Sequence, residues 1–512
     1  MPYPKKYLYV GRSNDLAGLD RALYRALEIL PGALAWATIA LVIWFSWKRP
    51  IWVAIFIIVF DLYWLIKTIF LSFHLRANWK RMQHNLTIDW NERLTMLKWQ
   101  SLWQLVVLPT VGESAAVIRE SLDTIARSAW PKERMFVVLA MEDAEEAHRL
   151  LGEEMKQVYG EMFGIFLVTR HPQGLPGEMR GKGSNETWAV HEAKKIIDQR
   201  KIPYEDIIVS SFDIDTKLYP QFFPCLAWHF LTAEKPHRSS FQPVPLYHNN
   251  VWDAGAVSRV VASSGTFWQM MQQERPERLT TFSSHSMSFK SLVEIGYWQV
   301  NIVSEDSRIF WNHFFHYNGD WRAVPLAYPV SMDANLAPSL WGTLKNIYRQ
   351  QRRWGWGVEN VPYVLFGFLK NRKIALSKKL RFSFNLLEGF WSWATNALLI
   401  FALGWLPVYL SVREYKSYLI LYNLPYITRN IMILSMFGII TSAVITQAML
   451  RKTKDDYLKQ WSLSLVLQWF LMPATIIIFG ALPGLEAQTR LALGGKFRLG
   501  FWVTPKSRSK QN

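Results

Sequence analysis

At 512 residues the chain is long enough for more than one domain, and half of it is hydrophobic with 15% aromatic, heavy for a soluble enzyme. The net charge of +18, from 58 Lys and Arg against 40 Asp and Glu, admits nucleic acid, anionic membrane or phosphate-bearing substrates as partners. A single cysteine, Cys225, excludes an intrachain disulfide and a four-cysteine zinc site, and agrees with a reducing compartment.

Residues 1–28 are polar and basic (Lys5, Lys6, Arg12, Arg21, Arg25), and a tail this long before the first apolar run argues against a cleaved secretory signal. No charge appears from Pro31 to Trp47. After Lys48-Arg49-Pro50 a second apolar run extends from Ile51 to about Phe73. Each approaches the ~20 residues that cross a bilayer, so residues 29–74 are expected to form a hairpin of two spans. Asp61 falls in mid-span, where it is expected to face other helices or be protonated, and Lys67 is expected to snorkel.

Residues 75–360 differ in texture. Leu105 to Thr110 reads as a strand, followed by a helix with Val117, Ile118, Leu122 and Ile125 at helical spacing. Met135 to Ala140 is a second strand, and Ile207 to Ser211 a later one. Strand alternating with helix implies an α/β fold with a parallel sheet. Residues 361–385 combine apolar Val364, Leu365, Phe368 and Leu369 with Lys370, Arg372, Lys373, Lys378 and Lys379, as in an interfacial or surface amphipathic helix.

About three further spans are expected within 386–485 (388–410, 430–450 and 462–483), then a basic tail over 486–512. Three spans would leave that tail outside, against the positive-inside tendency. A cytosolic tail requires a break at Pro473 or an extra membrane segment at 417–427. The positive charges cluster beside apolar spans rather than along one groove-sized face, which argues against nucleic acid.

Asp213 and Asp215 follow the Ile207 strand directly. Ligands gather at the carboxyl ends of strands in such sheets, and two carboxylates two residues apart suit a hard cation, Mg2+ or Mn2+. Asp-x-Asp alone serves equally well as a solvated turn or helix start. Other patches lie at loops that would reach the same edge: Pro109 to Glu113, Glu142-Asp143, and the glycine-rich turn His171 to Asn185 containing Lys182. Lys182 is placed to approach a phosphate, although the P-loop spacing is absent. Asp306 opens an aromatic helix, where an acid also serves as a cap. On a helix Gln350, Arg353 and Trp354 share one face: a hydrogen-bonding amide, a guanidinium fork for phosphate oxygens and a flat apolar platform.

Asp213-x-Asp215, Ser304-Glu305-Asp306 and Gln350-x-x-Arg353-Trp354 stand in this order, about ninety and then about forty-five residues apart, between apolar spans. Together they resemble the membrane-bound family 2 glycosyltransferases, the relatives of cellulose, chitin and hyaluronan synthases. Phe501 to Lys506 resembles a tail motif of some members.

The resemblance implies a GT-A-like domain inserted between transmembrane helices, a nucleotide-sugar donor (typically UDP-linked), a divalent cation and an inverting single displacement. Carried over by position, Asp143 contacts the uridine, with Glu142 its rival. Asp213 lies by the donor and shares the metal with Asp215, while Asp306 is the base. Gln350, Arg353 and Trp354 hold pyrophosphate and the acceptor end, and Lys182 and Glu113 join the donor site.

The acceptor is expected to be a growing polysaccharide or a membrane-associated or lipid-linked glycan, with membrane lipids and accessory export subunits as further partners. The protein is expected to be multi-pass, its catalytic domain cytosolic, in the plasma membrane if bacterial. The alternatives are a non-processive transferase and a catalytically silent scaffold or sugar-binding subunit. Ser304 stands where the family often has Thr, and Ser283 to Ser288 where many relatives carry a glycine-rich acceptor loop, which leaves the acceptor open. His171 and His285 read as polar loop residues.

Overall fold

The computed structural model describes residues 6–143, 146–411, 418–451, 465–500 and 502. α1 (Gly18–Lys48) and α2 (Pro50–Thr87) meet at Arg49, with Pro50 opening α2 where its missing N–H costs nothing. Trp44, Trp47, Trp52, Val59, Ile66 and Phe73 face outward, an apolar exposure that lipid would cover. The 38 residues of α2 make a rod ~57 Å long, more than a bilayer's hydrocarbon core needs. Its end docks on the α/β domain: Asn85 Nδ2 donates to the Leu326 and Ala327 carbonyls at 3.2 and 3.1 Å, and Arg81 pairs with Glu274 at 3.0 Å.

α3 (Trp90–Leu94), capped by Asp89, leads into the domain. There follow β1 (Trp103–Thr110), α4 (Ala115–Ala126), β2 (Met135–Glu142), α5 (Glu146–Tyr159), β3 (Ile165–His171), α6 (Lys182–Gln199), β4 (Ile207–Ser211), β5 (Lys217–Leu218) and α7 (Phe222–Thr232). β6 (Ser239–Leu246), α8 (Ala256–Gln273), β7 (His285–Ser288), α9 (Phe289–Ile295), α10 (Glu305–His316) and β8 (Arg322–Ser331) complete it. The sheet order is β3-β2-β1-β4-β7-β6-β8-β5. β3, β2, β1 and β4 are mutually parallel, as are β6 and β8, while β7 runs antiparallel to both β4 and β6. The α/β fold with a mixed, mainly parallel sheet is therefore as expected.

Continuous apolar strands follow from burial on both faces. Leu105, Val107, Phe136 and Val138 pack with Ala189, Ala193 and Ile197 of α6. Val106, Leu108, Val137 and Leu139 pack with Ile118 and Leu122 of α4. From β1 the chain builds outward through β2 and β3 on one side, then returns to place β4 on the other. The crevice of such a reversal lies at the carboxyl ends of β1 and β4.

α11 (Leu340–Gly355), α12 (Asn360–Lys370), α13 (Leu376–Phe401), α14 (Leu406–Leu410), α15 (Leu419–Arg451) and α16 (Leu465–Leu493) follow. Among the described residues α1, α2 and α16 are long and apolar enough to cross a membrane; α13 and α14 form a fourth candidate, bent by 49°. Residues 419–427 are the first turns of α15 rather than a separate segment. Pro473 is followed by a π-helical stretch, Ile477–Ala481, within α16.

Three local expectations change. Val364 and Phe368, read as an interfacial face, are buried in the α/β core beside Phe314 and Phe315. Lys67 does not snorkel; it pairs with Glu388 of α13 at 2.5 Å, which in apolar surroundings leaves neither charge alone. The N-terminal segment is stitched to the domain, for the Leu8 carbonyl accepts from Asn312 and Tyr363, both at 3.0 Å. Asp61 is buried within the helices, as expected.

Candidate active site

β4 delivers the acidic pair. Its ladder continues one residue further, with Phe212 N–H donating to the Val107 carbonyl at 3.1 Å, before the chain turns at Asp213. Asp215 is buried, and its Oδ2 accepts from the backbone N–H of Asp333, just beyond β8, at 3.1 Å. Asn249 Nδ2 clamps the same place, donating to the Asp215 carbonyl and to Asp333 Oδ1, both at 2.8 Å. Asp213 remains partly exposed; Lys182 Nζ reaches its Oδ1 at 2.8 Å and Ser283 Oγ donates to its Oδ2 at 2.7 Å.

Lys182 joins the two acidic patches that the sequence separates by about ninety residues. Expected at a phosphate, its ammonium is held between two carboxylates, at 2.7 Å from Asp306 Oδ1 as well as 2.8 Å from Asp213. The glycine-rich turn makes this possible. A Cβ on Gly183 would meet the Gln299 carbonyl oxygen and Glu305 Cβ at 3.0 Å, so the start of α6 approaches the segment before α10 this closely only without one.

Two further acids, Glu186 one turn along α6 and Glu305, are buried in the same cluster. Burial pushes Glu186 up to about 8 and Glu305 well above the carboxylate range. Burial also raises Asp306, Lys182 opposes that rise, and Asp213 adds to it. Burial disfavours the Lys182 ammonium, yet Asp213 and Asp306 outweigh it and raise its pKa well above the usual lysine value. The result is a cation inside a surplus of carboxyl groups, with a basic carboxylate at the opening of α10.

His285 is not a loop residue. It sits on β7, fully buried, with Nδ1 2.6 Å from the Ser283 carbonyl and 3.9 Å from Asp306 Oδ1. Burial, with Lys182 beside it, pushes its pKa down to about 3, so the ring is neutral and Nδ1 donates to Ser283. Ser283 itself has a left-handed backbone, φ +38°, which aims its hydroxyl at Asp213.

His171 is likewise buried, at the end of β3, bridging Glu142 Oε1 at 3.2 Å and Glu178 Oε2 at 2.9 Å. Burial lowers its pKa, but hydrogen bonds to Glu142 and Glu178 outweigh that and raise it. Glu142 is thereby committed to His171. Its rival Asp143 lies at the rim, partly exposed and held by Arg149 at 3.0 Å. Glu113 Oε2 closes the loop after β1, accepting from Thr110 Oγ1 at 2.7 Å and from the N–H groups of Val111 and Gly112 at 3.0 and 3.2 Å. That loop and Glu142 line one groove with His148.

The adjacent arginines of α11 diverge. Arg352 Nη1 pairs with Glu486 of α16 at 2.7 Å, tying α11 to a helix long and apolar enough to cross a membrane. Arg353 turns to the cleft, where its charge acts on Asp306 and Tyr247. Trp354 packs against Phe282 and Tyr247 with ring centroids 5.7 and 6.2 Å away. Phe282 adjoins Ser283, so this platform borders Asp213. Gln350 is half-buried on the same helix. The tail resemblance lies outside the described residues except for Trp502, whose ring is 5.7 Å from the Arg349 guanidinium.

Among the described residues no group of three or more His, Cys, Asp and Glu is arranged to hold a metal ion by itself. Asp213 and Asp215 are hard oxygen donors. One or two carboxylates suit Mg2+ or Mn2+ when phosphate oxygens and water complete the shell, so the residues present fit such an ion.

No protein-family model and no curated protein sequence matches the chain. Among solved structures it is similar to the mannosyltransferase PcManGT of Pyrobaculum calidifontis, in complex with GDP-Man and Mn2+. That match has 14% identity and a TM-score of 0.36, over 79% of this chain and 99% of that one. It is also similar to TarS 1–349 of S. aureus with UDP-GlcNAc, at 12% identity and a TM-score of 0.31 over 67% and 91% of the two chains. A third is glucosyl-3-phosphoglycerate synthase of Mycobacterium tuberculosis with Mg2+ and UDP, at 16% identity and a TM-score of 0.31 over 54% and 81%. Likeness at this level assigns no activity. The chain itself forms an α/β domain tied to apolar helices, with an acidic, lysine-bridged cleft at the sheet's carboxyl edge.

Proposed function

We propose that the protein is a membrane-bound, GT-A-like inverting glycosyltransferase that moves a sugar from a nucleotide-sugar donor, UDP-linked by the resemblance, to a glycan acceptor at the membrane. The observation that carries this reading is the Lys182 ammonium, hydrogen-bonded at once to Asp213 and Asp306 in a cleft bordered by Arg353 and Trp354. Those residues come from four stretches far apart in the chain: the glycine-rich turn and the three motifs. A bound divalent cation would neutralise charge developing on the leaving diphosphate.

In this reading Asp213 and Asp215 hold that cation. Lys182 and Arg353 supply fixed positive charge beside the leaving group, and they need not reorganise during the reaction. Asp143 reaches the base from the rim, with Glu113 shaping the neighbouring loop. Asp306, kept basic by burial, takes the proton of the acceptor hydroxyl as its oxygen attacks the anomeric carbon from the face opposite the leaving group, which inverts that centre. Trp354 gives the acceptor ring an apolar surface, and Gln350 a hydrogen-bonding edge. The catalytic domain faces the cytosol, where nucleotide sugars are made.

The test is donor screening: purified membranes, a panel of nucleotide sugars, and nucleotide release with and without Mn2+. Release confined to one or two donors and dependent on the cation supports the proposal. No release from any donor counts against it. Product length on labelled donor then separates chain growth from a single transfer.

A further inference from the structure

A cavity of about 490 Å3 opens between the N-terminal segment, the start of α1 and the end of α16, away from the cleft. Arg12, Arg21, Arg25 and Arg498 line it, with Glu28 as the acid in the lining. Glu28 is buried and shared: it accepts from Arg25 and from Arg498, each at 2.8 Å, and from Ser13 N–H at 3.2 Å. Asp15 lies 3.5 Å from Arg12, and Arg21 reaches the neutral Asn14 Oδ1 at 3.1 Å. Even with Asp15 counted, guanidinium charge exceeds carboxylate charge around one half-open volume.

The wall is built to seat these groups. Gly494 and Gly495 have φ of +67° and +52°, and a Cβ on Gly494 would meet the Arg25 guanidinium at 2.9 Å. Arg25 occupies that space and donates to the Leu491 carbonyl at 3.1 Å and to that of Ala492. Arg25 precedes the charge-free run by six residues, ~9 Å along the helix, which is headgroup depth, and Leu19 and Leu23 are exposed on the same turns.

Arg498 also faces inward. Its Nη2 lies 3.7 Å from Glu359 Oε2. Glu359 Oε1 accepts from Val303 N–H at 3.1 Å, Ser304 N–H at 2.9 Å and Ser304 Oγ at 2.7 Å, and so fixes the turn that opens α10 at Asp306. We propose that this cavity binds a phosphate-bearing anion, a phospholipid headgroup or a free phosphoester, and that its occupancy reaches the Asp306 turn through Arg498 and Glu359. The binding half stands on the cavity alone; the significance of the second half rests on Asp306 being the base.

The experiment uses the full-length protein in detergent with two probes. Pyrophosphate, without divalent cations and against chloride at equal ionic strength, is titrated calorimetrically. Phosphatidylglycerol against phosphatidylcholine is followed by native mass spectrometry, and hydrogen exchange is read at Val303 and Ser304. Saturable binding of either probe is expected, weakened about tenfold or more in Arg12→Gln/Arg21→Gln, two exposed positions, with altered exchange at 303–304. Pyrophosphate binding identifies a soluble phosphoester, and phosphatidylglycerol binding a lipid. Absence of both, or equal binding by the double variant, overturns the site, and binding with unchanged exchange overturns the relay. Neither readout needs sugar transfer, so failure of the glycosyltransferase reading would show separately.

Discussion

Replacing Lys182 with methionine keeps most of the side chain's length, one atom short, and removes its charge. In the native cleft the ammonium, only 10% exposed, sits 2.8 Å from Asp213 and 2.7 Å from Asp306, with Glu186 3.9 Å away. Removing one partner of a buried ion pair costs about 3–5 kcal/mol, because the partner's charge is left uncompensated. At a few degrees per kcal/mol, the melting temperature of the detergent-solubilised protein should fall by at least ~5 °C at pH 8, followed by tryptophan fluorescence.

The sign of the pH dependence is fixed. The raised carboxyl pKa of Asp306 means that the fold favours the protonated form, and without Lys182 it does so more strongly. The variant's deficit should therefore shrink as the pH falls toward 5 and widen as it rises. A melting temperature equal to that of the wild type, or a deficit indifferent to pH, would refute the view that Lys182 neutralises this cluster.

Asp306→Asn should lower kcat by roughly 10²–10⁴-fold with little change in the KM for donor, as expected on losing a general base, and product formation from labelled donor checks it. Trp354→Ala should raise the acceptor KM several-fold while Trp354→Phe restores most of it; equal kinetics for both would remove the platform role. His171 contributes through a raised pKa, so its stabilisation is complete below about 6.5 and disappears as the pH rises through the higher folded value. The gap in melting temperature between wild type and His171→Gln should thus be wide at pH 6 and narrow steadily as the pH rises past the folded value. A constant gap would contradict it.

The strands that carry the site were readable because burial on both faces leaves unbroken apolar runs such as Leu105 to Leu108 and Ile207 to Val209, each ending where a polar loop begins. The right-hand half of the sheet was not. β7 is His-Ser-Met-Ser, and its backbone pairing with β4 and β6, not side-chain pattern, makes it a strand. His285 was consequently misread as a loop residue. Glu186 escaped notice because a carboxylate on a helix reads as solvated until the facing Ser211 and Lys182 are known.

His171 shows the same blindness, since Glu142 and Glu178 reach it only after β2 and β3 align. Val364 and Phe368 mark a different limit. An apolar stripe beside lysines looks alike whether it meets lipid or protein, and here α10 covers it. In contrast the divergence of Arg352 and Arg353 follows directly from the helical turn once α11 is placed between the cleft and α16.

The central claim is that the acidic pair binds the donor while Asp306 only activates the acceptor. Calorimetric titration of UDP with Mn2+ into Asp215→Ala and Asp306→Asn, side by side, tests it directly. The account predicts wild-type affinity in Asp306→Asn and a loss of the Mn2+-dependent affinity in Asp215→Ala. Unchanged affinity in Asp215→Ala, with Mn2+ present, would contradict it.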